Sequence, residues 1–461
     1  MEHTNPLRIP ELLHEILAAF NPSTDRSSLL SLSMVDRFTH TVAAPYLFRH
    51  ICTNIDRIGL LASAFKSDLS RASLCRSLAF VLVYDTTRRE PVLPEDIFNT
   101  LYDDLVTVFT ALSLKPNLHT LIWNKAFYGC SIALPQRVWT AIASALPSVE
   151  ILKLYVTSYD WESVMQTQFI HLRVFELNVG SFHGWDCTPL VNLLQTLHDL
   201  EQLSLELPSC SGPVGLTLQS THPRLKRFSF TSGNLFSPSD FLIRHPHIET
   251  LYLESEQQFD HPNQPSFRAL CMDEYCLRLP SQSHFIQPPL AHLFLRDLED
   301  QFYQSDIELA IVECHSLRCL EVDCFRRPEE EPVPPSVNKL IQKLPALEEL
   351  ALLPVLNLAG SEEGIPAVVL LNAALESIEF HPSLRALRLF NRSGTLPQER
   401  LDDLGCLPPN LKYIGCDGLR TSLIYVVDRQ GGKNFVSKTI RRDLSDDWVE
   451  RSILGFLSEC S

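Results

Sequence analysis

Three cysteines spaced five apart, Cys314, Cys319 and Cys324, stand near His315, and a second pair lies at Cys271 and Cys276. By residue type these are the side chains best suited to hold a metal ion. Zinc sites take their ligands from closer, matched pairs so that short loops converge on the ion. Cys319 and Cys324 straddle a segment with strand alternation and cannot converge locally, so no metal is expected. Gly431–Gly432–Lys433 is followed by Asn434 and lacks the upstream glycine of a phosphate loop. The chain has no G-x-S-x-G elbow and no His-x-x-x-His pair on a helix. Asp402–Asp403 and Asp446–Asp447 are paired carboxylates in polar segments, where they suit helix N-terminal turns. The 16 histidines are spread widely. His222, His245 and His381 each precede a proline, which points to turns rather than to chemistry. No catalytic residue and no cofactor are expected.

The chemistry that remains is recognition, and composition narrows it. The chain has 461 residues, 45% of them hydrophobic, and a formal net charge of −16. A surplus of acid argues against a nucleic-acid partner, whose phosphates need clustered Lys and Arg. No apolar run approaches the ~18 residues of a membrane span, and the opening residues lack a signal-peptide pattern. A cytoplasmic or nuclear location is the expectation. The 13 cysteines are an odd, scattered set that reads as reduced, largely buried thiols.

One short phrase recurs along most of the chain: apolar, two variable positions, apolar, one variable position, apolar. It can be placed thirteen times, from Cys75–Leu78–Phe80 through Leu118–Leu121–Trp123, Val149–Leu152–Leu154 and Leu384–Leu387–Leu389 to Leu411–Ile414–Cys416. Successive phrases start 19 to 43 residues apart, and nine have a proline two residues ahead, as at Pro116, Pro147, Pro246 and Pro345. The last two apolar positions have strand spacing and point to one face. The proline ends the preceding helix and presets an extended start to the strand. Helices are read at 134–146, 305–312 and 334–344, where Val337, Leu340, Ile341 and Leu344 form one stripe. Such strand–turn–helix units bury their apolar face only by stacking on one another. The pattern resembles the leucine-rich repeat family in an irregular form. It implies an α/β solenoid, with a curved parallel sheet inside and helices outside, over residues 74–420.

In such a solenoid the alternate strand residues face out along the concave side. A target protein is expected at Tyr155, Glu176, Glu206, Arg227, Tyr252, Glu254, Asp273, Phe294, Arg296, Glu321, Asp323, Arg388 and Phe390. Asn124, Lys153, Asn178 and Glu349 share that face. The set is acidic with interleaved aromatics and a few arginines. Tyr, Phe and Arg are common interface anchors, and the acid excess favours a basic partner segment.

Residues 7–51 do not fit the repeat. Leu12, Leu13, Ile16, Leu17 and Phe20 form a first stripe. A second helix follows from about Ser28, and a third segment runs through Phe38 and Val42 and breaks at Pro45. These short helices carry more apolar side chains than they can bury among themselves. Ile9–Pro10, Glu11–Leu12–Leu13, Ile16–Leu17, Leu30-x-Leu32-x-x-Val35, Phe38 and the closing Pro45-x-Leu47–Phe48-x-x-Ile51 resemble an F-box, as found in many fungal F-box proteins. The resemblance implies a three-helix module at 1–55 that docks on the Skp-type adaptor of a cullin–RING ubiquitin ligase. Ile9, Pro10, Leu13, Ile16, Leu32 and Val35 would supply the adaptor-facing surface.

Residues 56–73 are read as a linker helix and 421–461 as a C-terminal cap. That cap is a hairpin with a glycine turn, followed by a helix from Ser445 carrying Trp448, Ile453, Leu454 and Leu457 inward. Together the modules predict a substrate-recognition subunit of an SCF-type ligase, with partners in the adaptor–cullin complex and an unknown target. The alternative is a repeat scaffold unconnected with ubiquitin, whose N-terminal helices only cap the array.

Overall fold

A computed structural model describes residues 10–19, 26–54, 57–80, 95–123, 134–156, 162–179, 188–207, 220–232, 238–254, 267–272, 285–298, 305–325, 333, 335–355, 367–379, 381–390, 395–396, 407–418, 421–430, 433–443 and 451–459. The chain divides into two compact units, Met1–Leu225 with Ser232–Phe236, and Lys226–Thr231 with Ser237–Ser461.

The first unit opens with α1 (Pro10–Ala19), α2 (Arg26–Ser33) and α3 (Arg37–Arg49). Leu13, Leu17, Leu29, Val42 and Ala43 form their shared core. Asp36 caps α3, accepting from the Thr39 backbone N–H at 2.7 Å. The expected break at Pro45 does not occur, and α3 runs through it to Arg49. An interior proline costs a helix ~3 kcal/mol. Here Tyr46 and Leu47, just beyond it, pack on the module core, and the Tyr46 hydroxyl lies 3.1 Å from His14 Nδ1. That packing holds the last turn in place.

The helical module then passes without a linker into β1 (His50–Thr53), a rung absent from the phrase count. α4 (Ile58–Ser67), α5 (Ser70–Leu74), β2 (Ser77–Phe80), α6 (Glu95–Ser113), β3 (Thr120–Trp123), α7 (Gln136–Ser144), β4 (Ile151–Val156), α8 (Glu162–Met165), β5 (Val174–Val179), α9 (Thr188–Thr196) and β6 (Gln202–Leu207) follow. Neighbouring strands pair in parallel and in sequence order. Leu78, Leu121, Leu152, Phe175 and Leu203 stand opposite one another along the ladder, so the middle apolar residues of successive phrases form one row. Helices cover that face: Trp139 of α7 meets Trp123 of β3 with ring centroids 6.0 Å apart.

The second unit repeats the scheme with β7 (Arg227–Ser232), α10 (Pro238–Arg244), β8 (Thr250–Glu254), β9 (Ala269–Met272), β10 (His292–Leu298), α11 (Ser305–Glu313), β11 (Cys319–Phe325), α12 (Pro335–Gln342), β12 (Glu349–Val355), α13 (Ala367–Ile378), β13 (Ala386–Phe390) and β14 (Tyr413–Asp417). These eight strands are parallel, with Phe228, Leu251, Leu270, Leu293, Leu320, Leu350, Leu387 and Ile414 in register. Each of the thirteen phrases thus ends in a strand, β2 to β14. β15 (Thr421–Gln430) and β16 (Lys433–Asp443) then add antiparallel, and α14 (Ile453–Glu459) closes the described chain.

The prolines act differently from the sequence expectation. They do not start the strand directly. Val149 N donates to Leu146 O at 2.9 Å, Ile248 N to His245 O at 3.2 Å and Leu347 N to Leu344 O at 3.0 Å. Pro147, Pro246 and Pro345 are therefore each the second residue of a β-turn joining helix to strand, where the fixed φ is already suitable.

The histidines beside these prolines are structural. His222, His245 and His381 are buried. Their ring nitrogens meet the backbone carbonyls of Leu197 at 2.8 Å, Phe241 at 2.7 Å and Leu344 at 2.9 Å. Burial pushes the His222 and His381 rings below the ordinary histidine value of 6.5, although each backbone bond pulls upward. Below about pH 6.5 the unfolded chain therefore binds protons that the folded one refuses, and stability falls with acidification. Urea midpoints should decline from about pH 6.5 downward, and His222→Gln with His381→Gln should flatten that slope. An unchanged slope in the double variant would contradict the assignment.

Candidate functional site

The helical module is apolar on two sides. In α1, Leu13 and Leu17 face the core, while Leu12 and Ile16, the adjacent i, i+4 stripe, remain 41% and 40% exposed. After Leu29 turns inward, Leu30, Met34, Val35 and Phe38 stay 52%, 77%, 59% and 37% exposed. Six of the fourteen exposed large hydrophobics among the described residues thus fall between positions 12 and 38. Single exposed apolar residues need no explanation, but a concentration of this kind is what contact surfaces present. Of the residues expected to face an adaptor, Pro10, Ile16 and Val35 are exposed, and Leu32 packs partly against the core. Leu13 corrects the expectation: it is 0% exposed and holds the module together. Ile9 lies outside the described residues.

On the first unit's strands, the face opposite the helices is a polar network. Lys153 Nζ sits 3.1 Å from Glu176 Oε2, and the Tyr155 hydroxyl donates to Glu176 Oε1 at 3.2 Å. Asn178 is buried and donates to Glu206, which is itself exposed. Register explains the contacts, since Lys153 stands opposite Glu176 and Asn178 opposite both Tyr155 and Glu206.

In the second unit the corresponding row reads Ser229, Tyr252, Cys271, Phe294, Glu321, Ala351, Arg388, Gly415 and Ile424. Its first part is aromatic. Cys271 and Phe294 are buried together with Ala269, and Tyr252 and Leu353 pack against them. The Arg296 guanidinium lies 5.9 Å from the Tyr252 ring centroid and also donates to its hydroxyl. Its second part is charged and closed. Arg388, at 0% exposure, donates to Glu321 and reaches Asp417 Oδ2 at 3.2 Å and Glu349 Oε1 at 3.5 Å. Glu321 stands two rungs from Arg388, roughly 10 Å at the usual strand separation. The side chain spans that gap because the residue between them is Ala351. His292 adds Nε2 at 3.6 Å from Glu321.

α14 covers this cluster. Ser452 Oγ donates to Glu349 Oε2 at 2.7 Å, Ile453 N to Oε1 at 2.9 Å and Leu454 N to Oε2 at 3.1 Å, so Glu349 satisfies the helix's opening N–H groups. Arg442 of β16 donates to the carbonyls of Ser452, at 3.0 Å, and Arg451. Ile453 is buried with Ala386 and Ile424. The described helix begins at Ile453 with Ser452 before it; Ser445 and Trp448 lie outside the described residues. A Cβ on Gly415 would fall 2.6 Å from Ile453 Cδ1. Ile453 has no solvent to swing into, so Gly415→Ala should cost ~1–3 kcal/mol by overpacking. Hydrogen exchange should report it as lost protection at 453–459; a variant with parental protection there would contradict the close approach.

Burial pushes the Glu321 carboxyl up, but Arg388 and then His292 carry it below the ordinary range. Burial works against the Arg388 charge, and Glu321, Asp417 and Glu349 together push its pKa above the usual value. Burial also pushes the Cys319 thiol well up, with Glu349 adding to the effect, so it is an inert neighbour. Cys314 is buried, with Sγ 3.7 Å from Leu290 O. Among the described residues no group of three or more His, Cys, Asp or Glu is placed to hold a metal ion.

The structure therefore corrects three residues of the expected target face, Phe294, Glu321 and Arg388, all of which are buried. Glu321 and Arg388 are sealed with Glu349 beneath α14, because a charge row beside Ala351 and Gly415 leaves space that a helix fills. Arg227, Tyr252, Arg296, Asp323 and Phe390 are partly buried. Phe294 is 7% exposed. Asn124, Asp273 and the Glu254 side chain lie outside the described residues. Sequence reading passed over Gly415, Asp417, Arg442 and Ser452; the small residues at outward positions 351 and 415 were the available signal. On the helical module it passed over Met34, and it left Leu12, Leu30 and Phe38 off the adaptor-facing set.

No family model matches the chain, and no curated protein matches it. Among solved structures the chain is similar to one described as the Rad7 and Elc1 complex in yeast, with TM-score 0.35 and 11% identity over 88% of this chain and 91% of that one. It is also similar to the leucine-rich repeat-containing protein LegL7 from Legionella pneumophila, with TM-score 0.26 and 12% identity over 76% of this chain and 87% of that one. The strand register within each unit carries the fold assignment: a mixed α/β, leucine-rich-repeat solenoid architecture built on a mostly parallel sheet.

Proposed function

We propose that this chain is the substrate-recognition subunit of an SCF-type cullin–RING ubiquitin ligase, acting in the cytoplasm or nucleus. The observation that carries the reading is the concentration of exposed apolar side chains on α1, α2 and the start of α3. These helices also bear the motif that resembles an F-box. The module would hold a Skp-type adaptor, and the strand faces left open by α14 would hold a target. The Lys153–Tyr155–Glu176–Glu206 network of the first unit suits a partner with basic side chains. The chain would contribute no catalytic group. It would raise the target's effective concentration beside the transfer machinery.

Affinity purification of the tagged full chain tests this. The expected result is recovery of adaptor and cullin together, lost in an Ile16→Glu, Val35→Glu variant whose circular dichroism is unchanged. Failure to recover adaptor with a folded parent chain would overturn the reading.

A repeat scaffold without ubiquitin is the second reading. The unbroken passage from α3 into β1 favours it, since a module joined so closely also seals the first rung. Deleting the module would remove β1 as well, so surface substitutions discriminate better than truncation.

A further inference from the structure

The residue just before each strand of the first unit stacks on its neighbour through backbone bonds. Arg76 N donates to Arg49 O at 2.9 Å, His119 N to Arg76 O, Glu150 N to His119 O and Arg173 N to Glu150 O at 2.8 Å each, and Glu201 N to Arg173 O at 2.7 Å. From the third rung onward the charges in this row balance. Arg173 Nη2 lies 2.8 Å from Glu201 Oε2 and its Nη1 3.9 Å from Glu150 Oε2, while His119 Nε2 lies 4.0 Å from Glu150 Oε1. The same position behaves alike in the second unit, where Glu348 pairs with Arg318 at 3.4 Å and with Arg385 at 3.3 Å. Cation stacks on cation twice in these rows: Lys412 N donates to Arg385 O at 2.9 Å, where Glu348 lies beside Arg385, and Arg76 stacks on Arg49, where among the described residues neither arginine has a carboxylate within 4.0 Å. In a chain of net charge −16 this is a local excess of the opposite sign.

The two arginines open into a crevice of about 540 Å³ between the helical module and the first rungs. His14 and Tyr46 line it from α1 and α3, and Asn117 and His119 from the turn before β3. Pro45 and Leu74 supply the apolar part of the wall, and among the described residues no carboxylate lines it. The far side is fixed, since Asn117 Nδ2 donates to Ser73 O at 2.7 Å and His119 Nδ1 lies 2.6 Å from Asn117 O. Neighbouring His50 senses the charge: burial first, then Arg49 and Arg76, holds its ring below the ordinary value.

We propose that this crevice binds a phosphorylated small molecule, with the dianion of a phosphate monoester seated between Arg49 and Arg76. Two adjacent guanidinium forks match the oxygens of a phosphate and its double charge; a lone carboxylate would neutralise only one of them. The volume is that of a small-molecule site. The assignment is independent of adaptor binding, because the exposed apolar side chains of the module are different residues.

Isothermal titration of the full chain at low ionic strength tests it, with inorganic phosphate, O-phosphoserine and serine as probes. One saturable site is expected for phosphate and a tighter one for O-phosphoserine, with no heat from serine. Arg49→Gln and Arg76→Gln should each weaken binding at least tenfold. Both side chains are exposed, so the unfolding midpoint should hold and report that the variants are folded. Absence of saturable phosphate binding, binding unchanged in the double variant, or binding of phosphate without O-phosphoserine would each overturn the proposal.

Discussion

Replacing Arg388 by methionine is expected to lower the stability of the second unit by roughly 3–5 kcal/mol, the cost of stranding a buried charge. The guanidinium lies against the carboxylates of Glu321, Glu349 and Asp417, at exposures of 0 to 3%. Methionine fills similar volume, so packing is largely preserved and the loss is electrostatic. Without the guanidinium, burial dominates Glu321 and its carboxyl pKa rises. A raised carboxylate destabilises above its unfolded value and recovers as protons bind, so the deficit of the variant should shrink as pH falls through the raised value toward the ordinary carboxylate range. Urea unfolding followed by circular dichroism at neutral and acid pH reads both effects. A neutral-pH loss under about 1 kcal/mol, the value of an exposed pair, would show that the cluster is not sealed as described.

The second large effect concerns the helical module. Ile16→Glu combined with Met34→Glu and Phe38→Ala is expected to weaken adaptor binding at least 100-fold, equivalent to about 2.7 kcal/mol. These side chains are exposed and their loss takes nothing from the module core. Leu13→Ala is the informative contrast. It empties a fully buried position and should cost ~2–5 kcal/mol of stability, with affinity falling only through unfolding. Calorimetric titration of purified adaptor, paired with unfolding curves, separates the two. If Leu13→Ala lost affinity while its stability held, Leu13 would be a contact and the exposed stripe would be mis-assigned.

The array was legible because its signal is periodic. Leu121, Leu152, Phe175 and Leu203 recur at a fixed place in each phrase, and parallel register puts them in one row. β1 escaped because Thr53 stands at the last core-facing position of its phrase, opposite Phe80, which breaks the apolar rule while keeping the strand. The face that α14 covers was illegible for another reason. Alternation shows which strand residues face outward but not what lies over them. Glu349 meets Ser452 across 103 residues of sequence, a separation no local pattern encodes. The same limit applies to Leu13 and Leu12: both are leucines on an amphipathic helix, and only the direction of α3 decides which is core. The Arg49–Arg76 stack needed the register too, since 27 residues part the two along the chain.

Hydrogen exchange of the full chain, with and without saturating Skp-type adaptor, tests the central claim most directly. Slowed exchange confined to residues 10–19 and 26–38, with β4 to β6 unchanged, is the predicted footprint. A folded chain that shows no protection in those helices, or protection only along the strands, would contradict it.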